Sequence, residues 1–233
     1  MHSPALPPRP RPPLLVTGLA CGALSLVLLV LVAARWAPLT SLDTTVAEAL
    51  HRRAVTGPGW VHVNRVLTDW VWDPWTMRVL TAAVVLTLWW RGSRLLAGWV
   101  AATSLLATLV QQGLKAAVGK ERPRWTDPVD SAQYAAFPSG HVMTAAVTCG
   151  LLLWLLRLHG TQTAPAWWGA SALAVISVAG VAWTRVYLGV HWLSDVLGGT
   201  VLGVTVVALS AAGYAGYTGR APRSSEEKPG PPL

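Results

Sequence analysis

Three short segments hold the residues of this chain whose types and spacing could do chemistry. They are Lys115-Ala-Ala-Val-Gly-Lys120-Glu-Arg122-Pro123, Phe137-Pro138-Ser139-Gly140-His141, and Arg185-Val-Tyr187-Leu-Gly189-Val-His191-Trp-Leu-Ser-Asp195. Lys115 and Arg122 stand seven residues apart. They share one face if the helix runs that far, but Gly119 and Pro123 predict that it frays first. Either way, the pair suits a phosphate: Arg offers a planar fork to its oxygens and Lys a point charge. Pro138-Ser139-Gly140-His141 reads as the opening of a helix. Ser139 is a natural N-cap, the free backbone N–H groups after it form an anion seat, and Gly140 lets an oxyanion approach the backbone. His191 and Asp195 are at i, i+4, one turn apart if helical. A carboxylate there can hold one ring nitrogen as N–H and leave the other as a lone pair aimed at phosphorus. His191 is then the nucleophile, Asp195 its orienter, and His141 the acid toward the leaving oxygen. With Arg185, three cations compensate the charge on a transferred phosphoryl group. This arrangement requires no metal and no other cofactor, and there is no carboxylate cluster to hold Mg²⁺.

The elements that must position these residues read as membrane spans. The 233 residues are 53% hydrophobic and 12% charged, with a mean hydropathy of +0.45; a soluble domain carries about a quarter charged residues. The spacing predicts an all-α chain with six transmembrane helices at about 14–34, 76–90, 95–117, 139–158, 165–186 and 192–217. The second run is close to the lower limit for a span. The first reads as a span rather than a leader, being long for one and followed by a poor cleavage site. Residues 37–75 predict two interfacial helices between the first two spans, with apolar faces at Leu42, Val46, Ala49, Leu50 and at Trp60, Val63, Val66, Leu67, Trp70, Val71. Residues 1–13 and 218–233 read as disordered tails around a six-span domain at 14–217. Many of the 14 Trp lie at the ends of apolar runs, as in an aromatic belt.

Six spans put both termini on one side and the loops after the first, third and fifth spans on the other. Lys115, Arg122, His141, Arg185, His191 and Asp195 then gather at one face of one bundle. Of ten acidic residues only Asp195 falls within a predicted span, and an ionisable group there is functional by default. The net charge of +8 fits juxtamembrane contact with anionic lipid and an anionic substrate. No basic run stands on a polar, foldable segment, so nucleic acid is not an expected partner. Cys21 and Cys149 fit no zinc motif or disulfide framework.

The three segments resemble the signature of the type-2 phosphatidic acid phosphatase superfamily, the integral-membrane lipid phosphate phosphatases. That pattern is Lys-x6-Arg-Pro, Pro-Ser-Gly-His, and Ser-Arg-x5-His-x3-Asp. Here it reads Lys115…Arg122-Pro123, Pro138-Ser139-Gly140-His141 and Thr184-Arg185…His191…Asp195. Thr184 in place of Ser is the one departure, and it keeps the hydroxyl. The resemblance implies a six-helix membrane fold, a phosphohistidine on His191, metal-independent hydrolysis, and phosphate contacts from Lys115, Arg122, Ser139, Gly140 and Arg185. It also implies a site facing the periplasm or cell exterior, in line with the cytoplasmic termini that the Arg91–Arg94 hairpin weakly favours. Soluble vanadium haloperoxidases share the motifs, but this chain has too much apolar span to be one.

The expected activity is hydrolysis of a lipid-linked phosphate or diphosphate: polyprenyl diphosphate, phosphatidic acid or phosphatidylglycerol phosphate, with a slight preference for the first from family association. A phosphotransferase passing the group to a non-water acceptor uses the same residues. A non-catalytic lipid-phosphate binder would be expected to have lost His141, His191 or Asp195. Membrane lipids are the other expected partners; nothing in the sequence bears on oligomeric state. Lys120, Arg124, Asp127 and Asp130 read as a solvated loop, and His51 and His62 lack metal-ligand partners. Tyr187 reads as packing beside the site. Gln111 and Gln112 read as a polar patch between helices or as support for the site.

Overall fold

A computed structural model describes residues 12–160 and 163–220. Eight α-helices carry nearly all of them: α1 (Pro12–Ala33), α2 (Ala37–Thr56), α3 (Pro58–Val66), α4 (Pro74–Trp90), α5 (Arg94–Val118), α6 (Gly140–His159), α7 (Ala164–Tyr187) and α8 (Leu193–Arg220), with a π-helical turn at Leu67–Val71 after α3. No strand occurs among the described residues. Proline opens α2, α3, α4 and α7 in the first turn, where its missing N–H costs nothing. Asp73 caps α4 by accepting from Trp75 N and Thr76 N, at 2.7 and 3.2 Å. Gly119, at φ +58°, ends α5 in the left-handed conformation, so the chain leaves the helix before Arg122, as the sequence predicts.

Five helices are long and apolar enough to cross a membrane: α1, α5, α6, α7 and α8. At 17 residues, α4 is about 26 Å long, short of a hydrocarbon core of about 30 Å; the expected six-span count rests on this helix. The expected tails fall mostly outside the described residues, although α1 begins at Pro12 and α8 runs to Arg220. The middle of the bundle is α8 with α6. α1 packs along α8, α7 and α4 flank α6, and α5 touches both α6 and α8. Glycines on α8 permit the close α6–α8 approach: a Cβ at Gly199 would stand 2.8 Å from Ser139 O, and one at Gly203 2.7 Å from Ala146 Cβ. Hydroxyl and indole pairs join neighbouring helices, among them Thr81 of α4 with Thr148 of α6 (3.2 Å) and Trp99 Nε1 of α5 donating to Ser210 Oγ of α8 (2.8 Å).

The region between α1 and α4 is helical as expected, with small and polar residues prominent on its buried side. On α2 the buried stripe is Asp43, Ala47, His51 and Ala54, while Leu42 is exposed. On α3 and the π-turn, Val61, Asn64 and Thr68 are buried, whereas Trp60, Val63, Val66, Trp70 and Val71 are exposed. On α3 and the π-turn most of the apolar positions are turned away from the protein, whereas Val46 and Leu50 of α2 are half-buried against its core. In a lipid setting apolar side chains gain nothing by turning inward, and small and polar residues take the contacts.

Candidate active site

The turn between α7 and α8, the start of α6 and the loop after α5 meet at one end of the bundle. Backbone bonds set their relation. Ser139 N donates to Asp195 O (3.0 Å), joining the start of α6 to the first turn of α8; Ala136 N donates to Lys120 O (2.8 Å), closing the loop that follows α5. Gly189 is at φ +69°, and a Cβ there would meet Trp125 Nε1 at 2.6 Å; that indole donates to Gly189 O at 2.8 Å. Glycine is required by both the backbone and the space.

His191 is buried and held on both sides. Its Nδ1 lies 3.2 Å from Asp195 Oδ2 and its Nε2 lies 3.1 Å from Arg122 NH1. Arg122 can only donate. The Nε2 atom is therefore the lone-pair nitrogen and Nδ1 carries the proton toward Asp195. Asp195 Oδ2 also accepts from Trp192 N (2.9 Å). The helical spacing assumed for His191 is not literal, because α8 begins only at Leu193; the turn before it brings the two groups together just as well. Burial lowers the His191 pKa to about 3, outweighing the Asp195 carboxylate that raises it. His191 is neutral throughout the neutral range.

Arg122 is fixed by main-chain carbonyls. Its Nε donates to Tyr134 O (2.9 Å), NH2 to Gln133 O (3.0 Å) and NH1 to Val190 O (2.6 Å). Lys115 donates to Ala135 O, and the charged groups around it are Arg122, Asp195 and Arg185. Arg185 is 4% exposed; its NH1 reaches Thr68 Oγ1 at 3.5 Å, while Nε has no partner among the described residues. His141, on the first turn of α6, has Lys115, Arg122, Arg185 and His191 as its charged or titratable neighbours. The residues singled out in the sequence are thus together.

Three details depart from expectation. Ser139 occupies the N-cap position, yet its side chain makes no capping bond; its Oγ is buried without a partner among the described residues. The Ser139 backbone N–H instead donates to the Asp195 carbonyl. The space against Gly140 is filled by Gln111, whose Nε2 a Cβ would meet at 2.7 Å, so Gln111 supports the α6 start. Lys120 does not belong to a solvated loop. Its Nζ contacts Asp43 Oδ2 at 2.8 Å and Asp195 Oδ1 at 3.0 Å. Lys120 and Asp43 escaped the sequence reading because one lies inside a spacer and the other among the polar residues of a helix read as lying along the membrane. The signal available was the spacing Asp43, Ala47, His51, Ala54, a small-residue stripe carrying one acid.

A buried, under-bonded guanidinium and two further cations near a histidine lone pair have the chemistry to take an anion such as a phosphate. Among the described residues no group of three or more His, Cys, Asp or Glu could hold a metal ion.

Comparison with known proteins bears on the family and the fold. Over 105 residues the chain is 33% identical to phosphatidylglycerophosphatase B of Bacillus subtilis (strain 168), covering 43% of this chain and 49% of that protein. Over 37 residues it is 54% identical to the Escherichia coli (strain K12) protein YbjG, provisionally named an undecaprenyl-diphosphatase, covering 16% of this chain and 18% of the relative. The chain thus spans about half the length of the first relative and under a fifth of the second. The crystal structure of a transmembrane phosphatidylglycerolphosphate phosphatase of the PAP2 type from Bacillus subtilis superposes with a TM-score of 0.74 at 22% identity, over 90% of this chain and 99% of that one, which establishes the likeness of fold. The family model of the PAP2 superfamily matches residues 96–216, just over half of the sequence and all three motifs, and the chain belongs to that superfamily.

Proposed function

We propose that this membrane protein hydrolyses a lipid-linked phosphate or diphosphate through a phosphohistidine on His191, without a metal ion. The observation that carries the reading is the double clamp on the imidazole: Asp195 at Nδ1 and Arg122 at Nε2 select the tautomer whose lone pair can attack phosphorus. Arg122 marks where an anionic oxygen belongs. As substrate enters, its N–H turns from Nε2 to a phosphate oxygen, and Arg185, Lys115 and the Ser139 hydroxyl take the others. His191 Nε2 then forms a bond to phosphorus as the bond to the leaving oxygen breaks, and His141 delivers a proton to that oxygen. The phosphate itself supplies the counter-charge that His141 needs to carry that proton. In the second half, water attacks phosphorus, the N–P bond breaks, and His141 takes the water's proton.

A lipid substrate fits a site at the end of apolar helices, where the headgroup meets the cations and the tail stays in the bilayer. Both curated relatives are named for lipid phosphates. Polyprenyl diphosphate, phosphatidic acid and phosphatidylglycerol phosphate remain the substrate set. The site faces the periplasm or cell exterior, with cytoplasmic termini.

The test is phosphate release from this lipid panel in mixed micelles by wild type and by His191→Ala. The variant is expected to be inactive on every substrate while keeping its melting transition. Wild-type activity should persist in EDTA and be blocked by vanadate, a mimic of five-coordinate phosphorus. Turnover by His191→Ala at the wild-type rate sinks the mechanism, and loss of wild-type activity on chelation sinks the metal-free reading.

A further inference from the structure

Beyond Asp195, on the side away from His191, lies a polar cluster that none of these steps uses. Lys120 Nζ is 3.0 Å from Asp195 Oδ1, 2.8 Å from Asp43 Oδ2 and 2.6 Å from Ser194 Oγ. Asp43, on α2, accepts the Ser194 N–H at Oδ1 (2.8 Å) and the Ser194 hydroxyl at Oδ2 (2.6 Å). Ser194 and Asp43 are buried, and the Lys120 side chain is 20% exposed. Asp43 thus holds the first turn of α8 through its backbone, while Lys120 holds the far oxygen of the Asp195 carboxylate.

We infer that Lys120 and Asp43 are positioning residues that fix the Asp195 carboxylate and, through it, the ring of His191. The inference rests on the reading of His191 as the phosphoryl acceptor. Asp195 Oδ1 is buried with no aligned hydrogen bond among the described residues, so the ionic contact to Lys120 is what keeps that oxygen in place. Charge leads to the same assignment. Two carboxylates and one ammonium leave the cluster one negative charge, and the imidazolium formed when His191 takes up phosphorus balances it. Without Lys120, two carboxylates that share one nitrogen would face each other unpaired in a buried setting, where charge is costly. Asp195 would then take a proton or turn away, and either change releases the His191 ring. Asp43 works in the opposite sense. By sharing Lys120 it keeps the ammonium from drawing fully onto Asp195, which preserves the basicity that His191 leans on.

A cavity of about 440 Å³ reaches the cluster, lined by Asp43, Lys120, Glu121, Arg35 and Trp192 among others. It is large enough to admit a small amine in place of a truncated lysine.

The experiment measures kcat and KM for wild type, Lys120→Met, Lys120→Ala, Asp43→Asn and His191→Ala on one lipid phosphate, with melting temperatures alongside. Lys120→Met and Asp43→Asn are expected to lose about tenfold or more in kcat, the scale of coupling within one contacting network. KM should stay within about twofold, since neither residue touches substrate. Ethylammonium should restore part of the Lys120→Ala rate and none of the His191→Ala rate. Wild-type kcat in both Lys120→Met and Asp43→Asn overturns the inference. So does indifference of Lys120→Ala to the amine at a wild-type melting temperature. Should the Lys120 variants not fold, the near-isosteric Asp43→Asn carries the same kcat readout. A wild-type protein that releases no phosphate refutes the proposed function instead, so the two failures are told apart.

Discussion

Replacing Asp195 by Asn exposes the logic of the site most directly. The amide keeps the size of the carboxylate but must offer N–H on one side. If its oxygen takes the Oδ2 position, accepting from Trp192 N at 2.9 Å and His191 Nδ1 at 3.2 Å, its N–H faces the Lys120 ammonium, now 3.0 Å from Oδ1. If it turns over, it donates to Nδ1 and drives the proton to Nε2, abolishing the nucleophile. The equivalent change in a Ser-His-Asp triad costs a factor of about 10⁴ in kcat through the wrong tautomer, or about 5.4 kcal/mol. Here Arg122 NH1, 3.1 Å from Nε2, still favours the right tautomer, and a charge-assisted hydrogen bond contributes about 1.5–3 kcal/mol. About 2.5–4 kcal/mol therefore remains, a loss of roughly 10²–10³ in kcat. The assay is rapid-quench measurement of acid-labile phosphoenzyme alongside steady-state phosphate release in mixed micelles. A kcat within about threefold of wild type would refute the tautomer argument, because no arrangement of the amide satisfies both neighbours.

Two further outcomes follow from the geometry. Because burial holds the His191 pKa near 3, below its ordinary value of about 6.5, the ring should stay neutral as pH falls from 7.5 to 5. A His191 signal in labelled protein, assigned by its loss in His191→Ala, should not titrate in that window; an ordinary midpoint near 6.5 would contradict the buried clamp. The unfolded chain binds that proton below about pH 6.5 while the folded one does not, so this group's contribution to stability shrinks as pH drops toward 3. Gly189→Ala forces a Cβ onto a backbone at φ +69° and against Trp125 Nε1 at 2.6 Å. The left-handed conformation alone costs about 1–2 kcal/mol, so the melting temperature in detergent should fall by a few degrees; an unchanged transition would show that Trp125 does not cover this turn.

The candidate site motifs were legible in the sequence because their chemistry is local. Gly119 announces where α5 stops, and Pro138-Ser139-Gly140 announces where α6 starts. Charge inside apolar runs is rare enough to be noticed at Lys115, Arg185 and Asp195. What could not be read was long-range. Lys120 looks like one more loop charge until α2 brings Asp43 beside it, and no spacing rule links positions 43, 120 and 195. The helices within 37–75 were legible as interfacial, but the small and polar residues they turn inward were not, because in lipid apolar periodicity does not mark the protein core. Here Trp60 and Trp70 point out, while Asn64 and Thr68 point in. Ser139 shows a subtler limit: the residue type fixes a helix start, and the sequence does not tell that its hydroxyl is buried without making the capping bond.

The grip on Arg122 has an evolutionary consequence. Its guanidinium is held by the carbonyls of Gln133, Tyr134 and Val190, groups that every amino acid supplies. The side chains of Gln133 and Tyr134 are themselves exposed. Mutation at these two positions can therefore rework the surface beside Arg122 while the guanidinium stays in place. The clamp is written in backbone, which leaves its surroundings free to diverge.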